Sequence, residues 1–371
     1  MRVVIGTGGT AGHIFPALAT AERLRDEHGA SVVFVGTGSG QEGTIVPAAG
    51  FPLKVIEAAP FHRGVSLRAI RAPISALRAA TKARAFIRGA DAVLGMGGYV
   101  SVPVTLATRR EHVPLVVHEQ NAVMGLANRL SARWAAAVGL SFREAGRHLP
   151  RRSRAVLVGN PVRADIVDAA ARQGELAAAA RRELELEDGR TTILVFGGSQ
   201  GALRLNRATV ELSELLRDRD DVQILLATGP RNHREVVERL SAARGVPVRA
   251  VPFLDRIDLA YAVADLAVSR AGATTVAELA VSGVPSVLIP YPYATGNHQE
   301  ANARALERAG GAAVLLDEQT NGRMLVAVIL KLLQWPDRLG SMARAARAFA
   351  RPDAAAALAG LVVSVAGSQR R

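Results

Sequence analysis

The sequence predicts an α/β protein of two parallel-sheet halves, each sheet carrying helices on both faces. Three observations carry this. Short apolar runs recur and end in Gly-rich stretches: Val3–Ile5 leads into Gly6-Thr7-Gly8-Gly9, Asp91–Leu94 into Gly95-Met96-Gly97-Gly98, and Thr192–Phe196 into Gly197-Gly198. Residues with helical periodicity follow, so the repeating unit reads strand, glycine turn, helix. The pattern then restarts after Gly159-Asn160-Pro161-Val162-Arg163, which reads as a linker in a chain of 371 residues, long enough for two ordinary domains.

In the first half, Val3–Ile5 is a buried-type strand and a helix runs to about Asp26, with Phe15, Leu18, Ala19 and Leu24 apolar. The glycines between them let a ligand approach backbone amides. Ser31–Val35 is the second strand. No acid closes it, which argues against NAD, and no phosphate-loop string Gly-x-x-x-x-Gly-Lys-Ser/Thr occurs. Leu53–Ile56 is the third strand. Ser66–Arg88 reads as one helix, or as a helix broken at Pro73, and holds Arg68, Arg71, Arg78, Lys82, Arg84 and Arg88 with no acid. Such a segment suits an anionic membrane surface, or it is an ordinary solvated helix with its apolar face inward. Asp91–Leu94 and Leu115–Val117 are the next strands. At the carboxyl end of the latter stands His118-Glu119-Gln120-Asn121, where open α/β sheets bind ligands. Val156–Val158 is the last strand of this half.

The second half repeats the scheme. Leu176–Leu186 is helical, and strands follow at Thr192–Phe196, Val222–Ala227, Val246–Val251, Leu266–Val268, Ser286–Ile289 and Ala312–Leu315. Helices begin near Ala202 and span Thr275–Val281 and His298–Arg308, and the remainder is helical. The turn Arg270–Thr275 puts small residues and two hydroxyls at a helix start. Uncapped amides and the positive dipole end suit an anion there, and Glu278, one turn further, is placed to reach a sugar hydroxyl. Similar turns also occur where no ligand binds. Any ligand is expected in a cleft between the halves.

Composition narrows the chemistry. With 49% hydrophobic and 21% charged residues there is material for two packed cores. The absence of cysteine excludes disulfides, thiolate zinc sites and cysteine nucleophiles. No secretory signal is expected, and Ala354–Gly367, the longest apolar stretch, falls short of the roughly 20 residues that span a bilayer. Residues 1–160 carry 20 Lys and Arg against 9 Asp and Glu, so +11 of the net +13 lies in the first half. That suits nucleic acid, an anionic membrane or an acidic substrate, or it reflects an arginine-rich composition. Aromatic content of 4% without aromatic-basic interleaving argues against nucleic acid. The loops themselves collect hydroxyls, amides and glycines, a set that fits a diphosphate and a sugar. Asp218-Arg219-Asp220 reads as a solvated helix end, so no metal or other cofactor is expected to be essential, and helix dipoles and amides would take up the charge of a leaving diphosphate. Gly197-Gly198-Ser199-Gln200-Gly201 has the Gly-x-Ser-x-Gly spacing of a nucleophile elbow, but Ser199 has no evident His or Asp partner, which argues against a nucleophilic hydrolase. His13 is a candidate general base, or it caps its loop or holds a phosphate; Glu119 is a second candidate base.

Seven motifs occur in order: GTGGTAGHIFPALA at Gly6–Ala19, GMGGYVSVP at Gly95–Pro103, HEQNAVMGLANR at His118–Arg129, GNPVR at Gly159–Arg163, GGSQGA at Gly197–Ala202, RAGATTVAEL at Arg270–Leu279 and NHQEANA at Asn297–Ala303. Together they resemble the MurG family, the peptidoglycan glycosyltransferases that add N-acetylglucosamine to lipid I. The resemblance implies a GT-B fold, two Rossmann-like parallel-sheet domains facing a cleft. Residues 1–162 would form an acceptor- and membrane-facing domain, with a C-terminal helix at about 350–371 packing back on it, and residues 163–349 the UDP-sugar donor domain. It further implies that Gly272, Ala273, Thr274 and Thr275 hold the diphosphate of UDP-N-acetylglucosamine and Glu278 its ribose. Leu254 would offer its backbone to the uracil, Gln299 and Asn121 would contact the sugar, and Thr10, Ala11, Gly12, Arg163 and Ser199 would complete the donor site. Gly9, Tyr99 and His118 would bind the acceptor, with His13 and Glu119 catalytic. The implied reaction inverts the anomeric carbon through an oxocarbenium-like state, at the cytoplasmic face of the bacterial cell membrane. Two departures stand out: Ala11 where the family often has a third glycine, and His298 where relatives often have a second glutamine. Another GT-B enzyme, such as a UDP-N-acetylglucosamine 2-epimerase, would share the donor site, whereas HEQN and GMGGY resemble only the lipid I enzyme.

Overall fold

In the computed structural model, which describes residues 1–57, 67–198 and 201–368, the chain forms two units: Met1–Arg163 with Arg351–Arg371, and Ala164–Ala350. The side chains of residues 67–76 and 336 lie outside the description.

The first unit contains β1 (Arg2–Gly6), α1 (Ala11–His28), β2 (Ser31–Gly36), α2 (Glu42–Ala48), β3 (Leu53–Val55), α3 (Leu67–Ile87), β4 (Ala92–Gly95), α4 (Ser101–Glu111), β5 (Leu115–Glu119), α5 (Leu126–Ser131), β6 (Ala137–Leu140) and β7 (Ala155–Leu157). Among the described residues these strands make one parallel sheet in the order β3-β2-β1-β4-β5-β6-β7, with Val3 level with Val32 on one side and Ala92 on the other. The order reverses between β1 and β4. The loops leaving these two strands therefore diverge to opposite faces and open a crevice at their carboxyl ends, the usual ligand position in a doubly wound sheet.

Alternate strand residues feed the two faces. Val3 and Ile5 of β1 join Ala92 and Leu94 of β4 in a core with Ile14, Leu18 and Leu24 of α1. Val4 and Val93 join the opposite core with Ala83 of α3 and Val104 of α4. Helix α1 stops at Gly29, whose φ of 59° suits glycine; its N–H donates to the Arg25 carbonyl, and the Ala30 N–H donates to that of Leu24.

The second unit contains α6 (Ala164–Ala171), α7 (Gln173–Glu183), β8 (Thr191–Phe196), α8 (Leu203–Leu215), β9 (Val222–Ala227), α9 (His233–Ala242), β10 (Val248–Val251), α10 (Ile257–Val263), β11 (Leu266–Ser269), α11 (Ala273–Ser282), β12 (Ser286–Leu288), α12 (His298–Arg308), β13 (Ala312–Val314), α13 (Gly322–Leu333) and α14 (Pro336–Phe349). Its described strands pair in parallel in the order β10-β9-β8-β11-β12-β13. Ile193, Val195, Ile224 and Val268 pack with Leu205 and Leu212 of α8 and with Leu325 and Ile329 of α13.

The chain then returns to the first unit as α15 (Ala354–Ser368), which sets Leu358, Val362 and Val365 into the core beside α1. By length and composition alone Asp337–Ser368 is apolar enough to cross a bilayer, but the run divides into α14 and α15, and the apolar residues of α15 are spent in this core. Gly159 marks where the returning segment lands. Its φ is 89°, and a Cβ there would lie 2.7 Å from Cβ of Arg351 and 3.0 Å from Cβ of Ala354. The stretch that reads as a linker is thus also a packing site.

Differences from the sequence reading are local. Helix α3 runs unbroken through Pro73, at the cost of a backbone hydrogen bond. The reading passes over α2 and β6. Ala137-Val138-Gly139-Leu140 holds a single β-branched residue and is a strand because β5 and β7 pair with both its edges.

Candidate active site

In the second unit the site is built mostly of backbone. Strand β11 ends at Ser269, the chain turns through Arg270, Ala271 and Gly272, and α11 starts at Ala273. Gly272 is the N-cap, extended at φ −60° and ψ 146°, and no side chain caps the helix. The first amides, at Ala273, Thr274 and Thr275, therefore head a positive dipole end suited to a diphosphate. Glu278 lies one turn along, and its Oε2 accepts a hydrogen bond of 2.9 Å from the Tyr261 hydroxyl of α10. Tyr261 is 1% exposed and packs edge-on against Phe196 at 6.0 Å, so Glu278 is steered by a rigid, buried phenol.

Arg270 does not serve as a mobile anion ligand. Its Nη1 pairs with Asp317 at 2.6 Å, both side chains being largely buried, and donates to the carbonyls of Ile289 and Pro290. Its guanidinium also lies 5.6 Å over the Tyr291 ring. Arg270 is a buckle that ties the β11 turn to the segment after β12. Asn302 assists by donating to the Ala271 carbonyl. The side-chain oxygen of Gln299 accepts the Tyr291 N–H at 2.9 Å. His298 donates from Nδ1 to the Thr295 carbonyl at 2.8 Å. Leu254 is buried behind exposed Phe253. Ser199 lies outside the described residues.

In the first unit the site is built of side chains. The loop after β1 carries Gly9, Thr10, Ala11, Gly12 and His13. Thr10 is extended at the N-cap of α1, and Ala11 is a helical residue with negative φ, so its methyl is accommodated without strain. Glu42, from α2, shapes this loop. Its carboxylate is fully buried and accepts from the Gly9 and Thr37 amides, both at 3.3 Å, and from the Thr37 hydroxyl at 2.7 Å. Burial opposes its charge, but the bonds from the Thr37 hydroxyl and the backbone amides outweigh that and hold Glu42 below the usual carboxylate range. Thr37 also shares a hydrogen bond of 3.1 Å with the Tyr99 hydroxyl, which joins the loops after β1, β2 and β4.

The block at the end of β5 lies behind these loops. Glu119 is 2% exposed; Oε1 accepts from the amide and side chain of Asn121, and Oε2 from the Gly125 amide and Asn128. Both oxygens of Glu119, the expected second base, are thus engaged in holding residues 121–128. His118, expected to bind the acceptor, faces inward in this structure. His118 is completely buried, with Nε2 at 2.9 Å from the Gly159 carbonyl and Nδ1 at 3.1 Å from Gln120. Burial, and secondarily the proximity of His13, drive its pKa down to about 4 against the Gly159 bond, so it is neutral at physiological pH. His13, half-buried, stands in front, with Nδ1 at 3.1 Å from the Gln120 side-chain oxygen. Asn121 is half-buried beside it in the chain, and Arg163 stacks its guanidinium over Phe15 at 5.2 Å.

On α3, Arg84 and Arg88 pair with Glu111 of α4, while Arg78 and Lys82 are exposed; the side chain of Arg71 lies outside the description. Glu42 and Tyr261 are the site residues that sequence reasoning missed, and Gln120 was seen only as one of the polar block 118–121. The signal for Glu42 was an acid six residues past the second strand, at the first position of a short helix.

The description "Glycosyltransferase family 28 N-terminal domain" matches residues 3–140, and "Glycosyltransferase family 28 C-terminal domain" matches residues 192–358. The chain is 41% identical to a Halothermothrix orenii protein, over 99% of both chains, and 38% identical to one from Desulforudis audaxviator, over 100% of both. Both are named UDP-N-acetylglucosamine--N-acetylmuramyl-(pentapeptide) pyrophosphoryl-undecaprenol N-acetylglucosamine transferase. Among solved structures, Acinetobacter baumannii MurG matches with a TM-score of 0.78 and 30% identity, covering 98% of this chain and 99% of that one. A Neisseria meningitidis UDP-GlcNAc 2-epimerase matches at 0.67 and 13% identity, a likeness of fold alone. Two Rossmann-like parallel-sheet units, family 28 domains in each half of the sequence and full-length relatives of one name agree: the chain has a GT-B fold and belongs to the MurG family of glycosyltransferases.

Proposed function

We propose that this protein transfers N-acetylglucosamine from UDP-N-acetylglucosamine to the muramoyl sugar of lipid I, inverting the anomeric carbon and giving lipid II for peptidoglycan synthesis. In this reading the amides of Ala273, Thr274 and Thr275 take the diphosphate at the α11 start, behind Gly272, and Glu278 accepts from a ribose hydroxyl. Leu254 offers its backbone to the uracil, and Gln299 and Asn121 hold the transferred sugar. Thr10, Ala11, Gly12, Arg163 and Ser199 complete the donor contacts, and Gly9 and Tyr99 line the acceptor's approach.

The acceptor hydroxyl attacks the anomeric carbon as the bond to the UDP oxygen breaks. The hydroxyl proton passes to Nε2 of His13, and the charge released on UDP is met by the helix start. The observation that favours transfer over epimerisation is the side-chain framework around His13, which builds a proton acceptor facing the acceptor loops rather than a donor site alone. The single test is transfer of labelled N-acetylglucosamine from the UDP-sugar to a lipid I analogue, with and without chelator. Product formation that survives chelation is expected. No product overturns the function, and strict dependence on a metal overturns the charge-stabilising role given to α11.

The exposed Arg78 and Lys82, in a half carrying most of the positive charge, support docking on the anionic cytoplasmic face of the bacterial membrane, at about 1 kcal/mol per basic residue. Reversing both charges should lower binding to anionic vesicles; unchanged binding would place the contact elsewhere.

A further inference from the structure

Behind His13 runs a chain of hydrogen bonds with a carbonyl fixing each of its two members. Nε2 of His118 lies 2.9 Å from the Gly159 carbonyl, which only accepts, so the proton of His118 sits on Nε2 and its Nδ1 carries the lone pair. The side-chain nitrogen of Gln120 lies 2.9 Å from the Met96 carbonyl and 3.1 Å from that Nδ1. Its two hydrogens thus meet two acceptors. The reversed amide would set its one oxygen against both the Met96 carbonyl and the Nδ1 lone pair, so the orientation of Gln120 is determined. Its oxygen consequently faces Nδ1 of His13 at 3.1 Å, and only a proton on Nδ1 satisfies that contact. The neutral state of His118 keeps the sequence of donors and acceptors consistent: a second ring proton would point at the Gln120 amide hydrogens.

The imidazole is also held sterically. Gly97 and Gly98 follow β4 with φ of 94° and 74°, and a Cβ on Gly97 would lie 3.4 Å from Cε1 of His13. The turn lies close to the ring edge, which opposes a flip that would put Cδ2 in the place of Nδ1 and Cε1 in that of Nε2.

We propose that Gln120, backed by His118, is a positioning residue that holds His13 as its Nδ1–H tautomer and so puts the basic lone pair on Nε2. The role for Nε2 rests on the transferase reading above; the tautomer itself does not. An amide in this place orients the ring without setting a full negative charge behind it. When Nε2 takes the proton of the attacking hydroxyl, Nδ1–H keeps donating to Gln120, so no partner has to turn during the step.

The test is the nitrogen NMR of the full chain labelled with 15N-histidine, recorded without substrate above the ordinary titration range of histidine. The His13 signals are identified by their loss in His13→Asn. In the wild type we expect a protonated Nδ1 and an unprotonated Nε2. A wild-type His13 carrying its proton on Nε2 overturns the proposal, with no variant needed. In Gln120→Leu, which keeps the bulk and removes the acceptor, His13 should shift toward the Nε2–H form that exposed histidines favour. There kcat should fall about 10²-fold while KM for the UDP-sugar stays unchanged. A retained Nδ1–H signal in Gln120→Leu also overturns the proposal. Transfer surviving in His13→Asn would instead remove the base role, and it is read in a separate assay.

Discussion

The two units reach function by different means. In the second, the amides at the start of α11 are capped by no side chain, an arrangement suited to an anion, and Tyr261 and Arg270 hold Glu278 and that backbone in place. In the first, the glycine loops are shaped by buried side chains, Glu42 under one, Glu119 under the next, and Gln120 with His118 behind His13. The contrast follows from the tasks. A helix start attracts an anion in any protonation state of its surroundings. A base needs its proton on one nitrogen and not the other, and that requires a determined set of donors and acceptors. Binding charge is inexpensive in side chains, whereas directing a proton is not.

If the contrast is right, disturbing the first unit's network should be felt in folding, and disturbing the second unit's supports mainly in donor binding. The largest effect concerns His118. Its folded pKa, about 4, lies below the ordinary value near 6.5. The unfolded chain therefore binds a proton that the folded one refuses. Stability from this residue is complete above about pH 6.5 and is lost as pH falls toward about 4, by roughly 3 kcal/mol. Thermal unfolding of His118→Gln followed across that window should show a shallower acid loss than the wild type. An identical pH slope would mean that His118 is not kept neutral by the fold.

Next in size is Glu278→Ala, which should weaken UDP binding about 10- to 100-fold, the cost of a lost charge-assisted hydrogen bond. Calorimetry checks this, with the melting temperature expected to be near that of the wild type. A large stability loss with unaltered affinity would make Glu278 structural and erase the contrast. The smallest is Tyr261→Phe. It removes one bond to Glu278 and should weaken UDP roughly fivefold, corresponding to about 1 kcal/mol. Equal affinities would show that Glu278 needs no steering.

The strand-and-glycine rhythm made the fold legible, because glycine turns at strand ends and buried parallel strands both leave a local mark in sequence. The α11 site was legible for the same reason: its parts, Gly272 to Glu278, lie within two helical turns. The supports were not. Tyr261 reaches Glu278 from another helix, and Glu42 reaches Gly9 across 33 residues. His118 and Glu119 were visible as polar residues at a strand end, but their inward direction depends on partners at Gly159, Gly125 and Asn128. A buried polar residue and a ligand-binding one look alike until the backbone groups around them are placed.

The return of the chain through Gly159 and α15 bears on the order of synthesis. The second unit is contiguous, so all of its core residues have been made by the time Ala350 leaves the ribosome. The first unit is begun earlier and completed later. Until Leu358, Val362 and Val365 emerge, the face of its sheet beside α1 is open and apolar. The nascent protein therefore carries an exposed hydrophobic surface through the whole translation of the second unit, the interval in which chaperones or aggregation compete with folding.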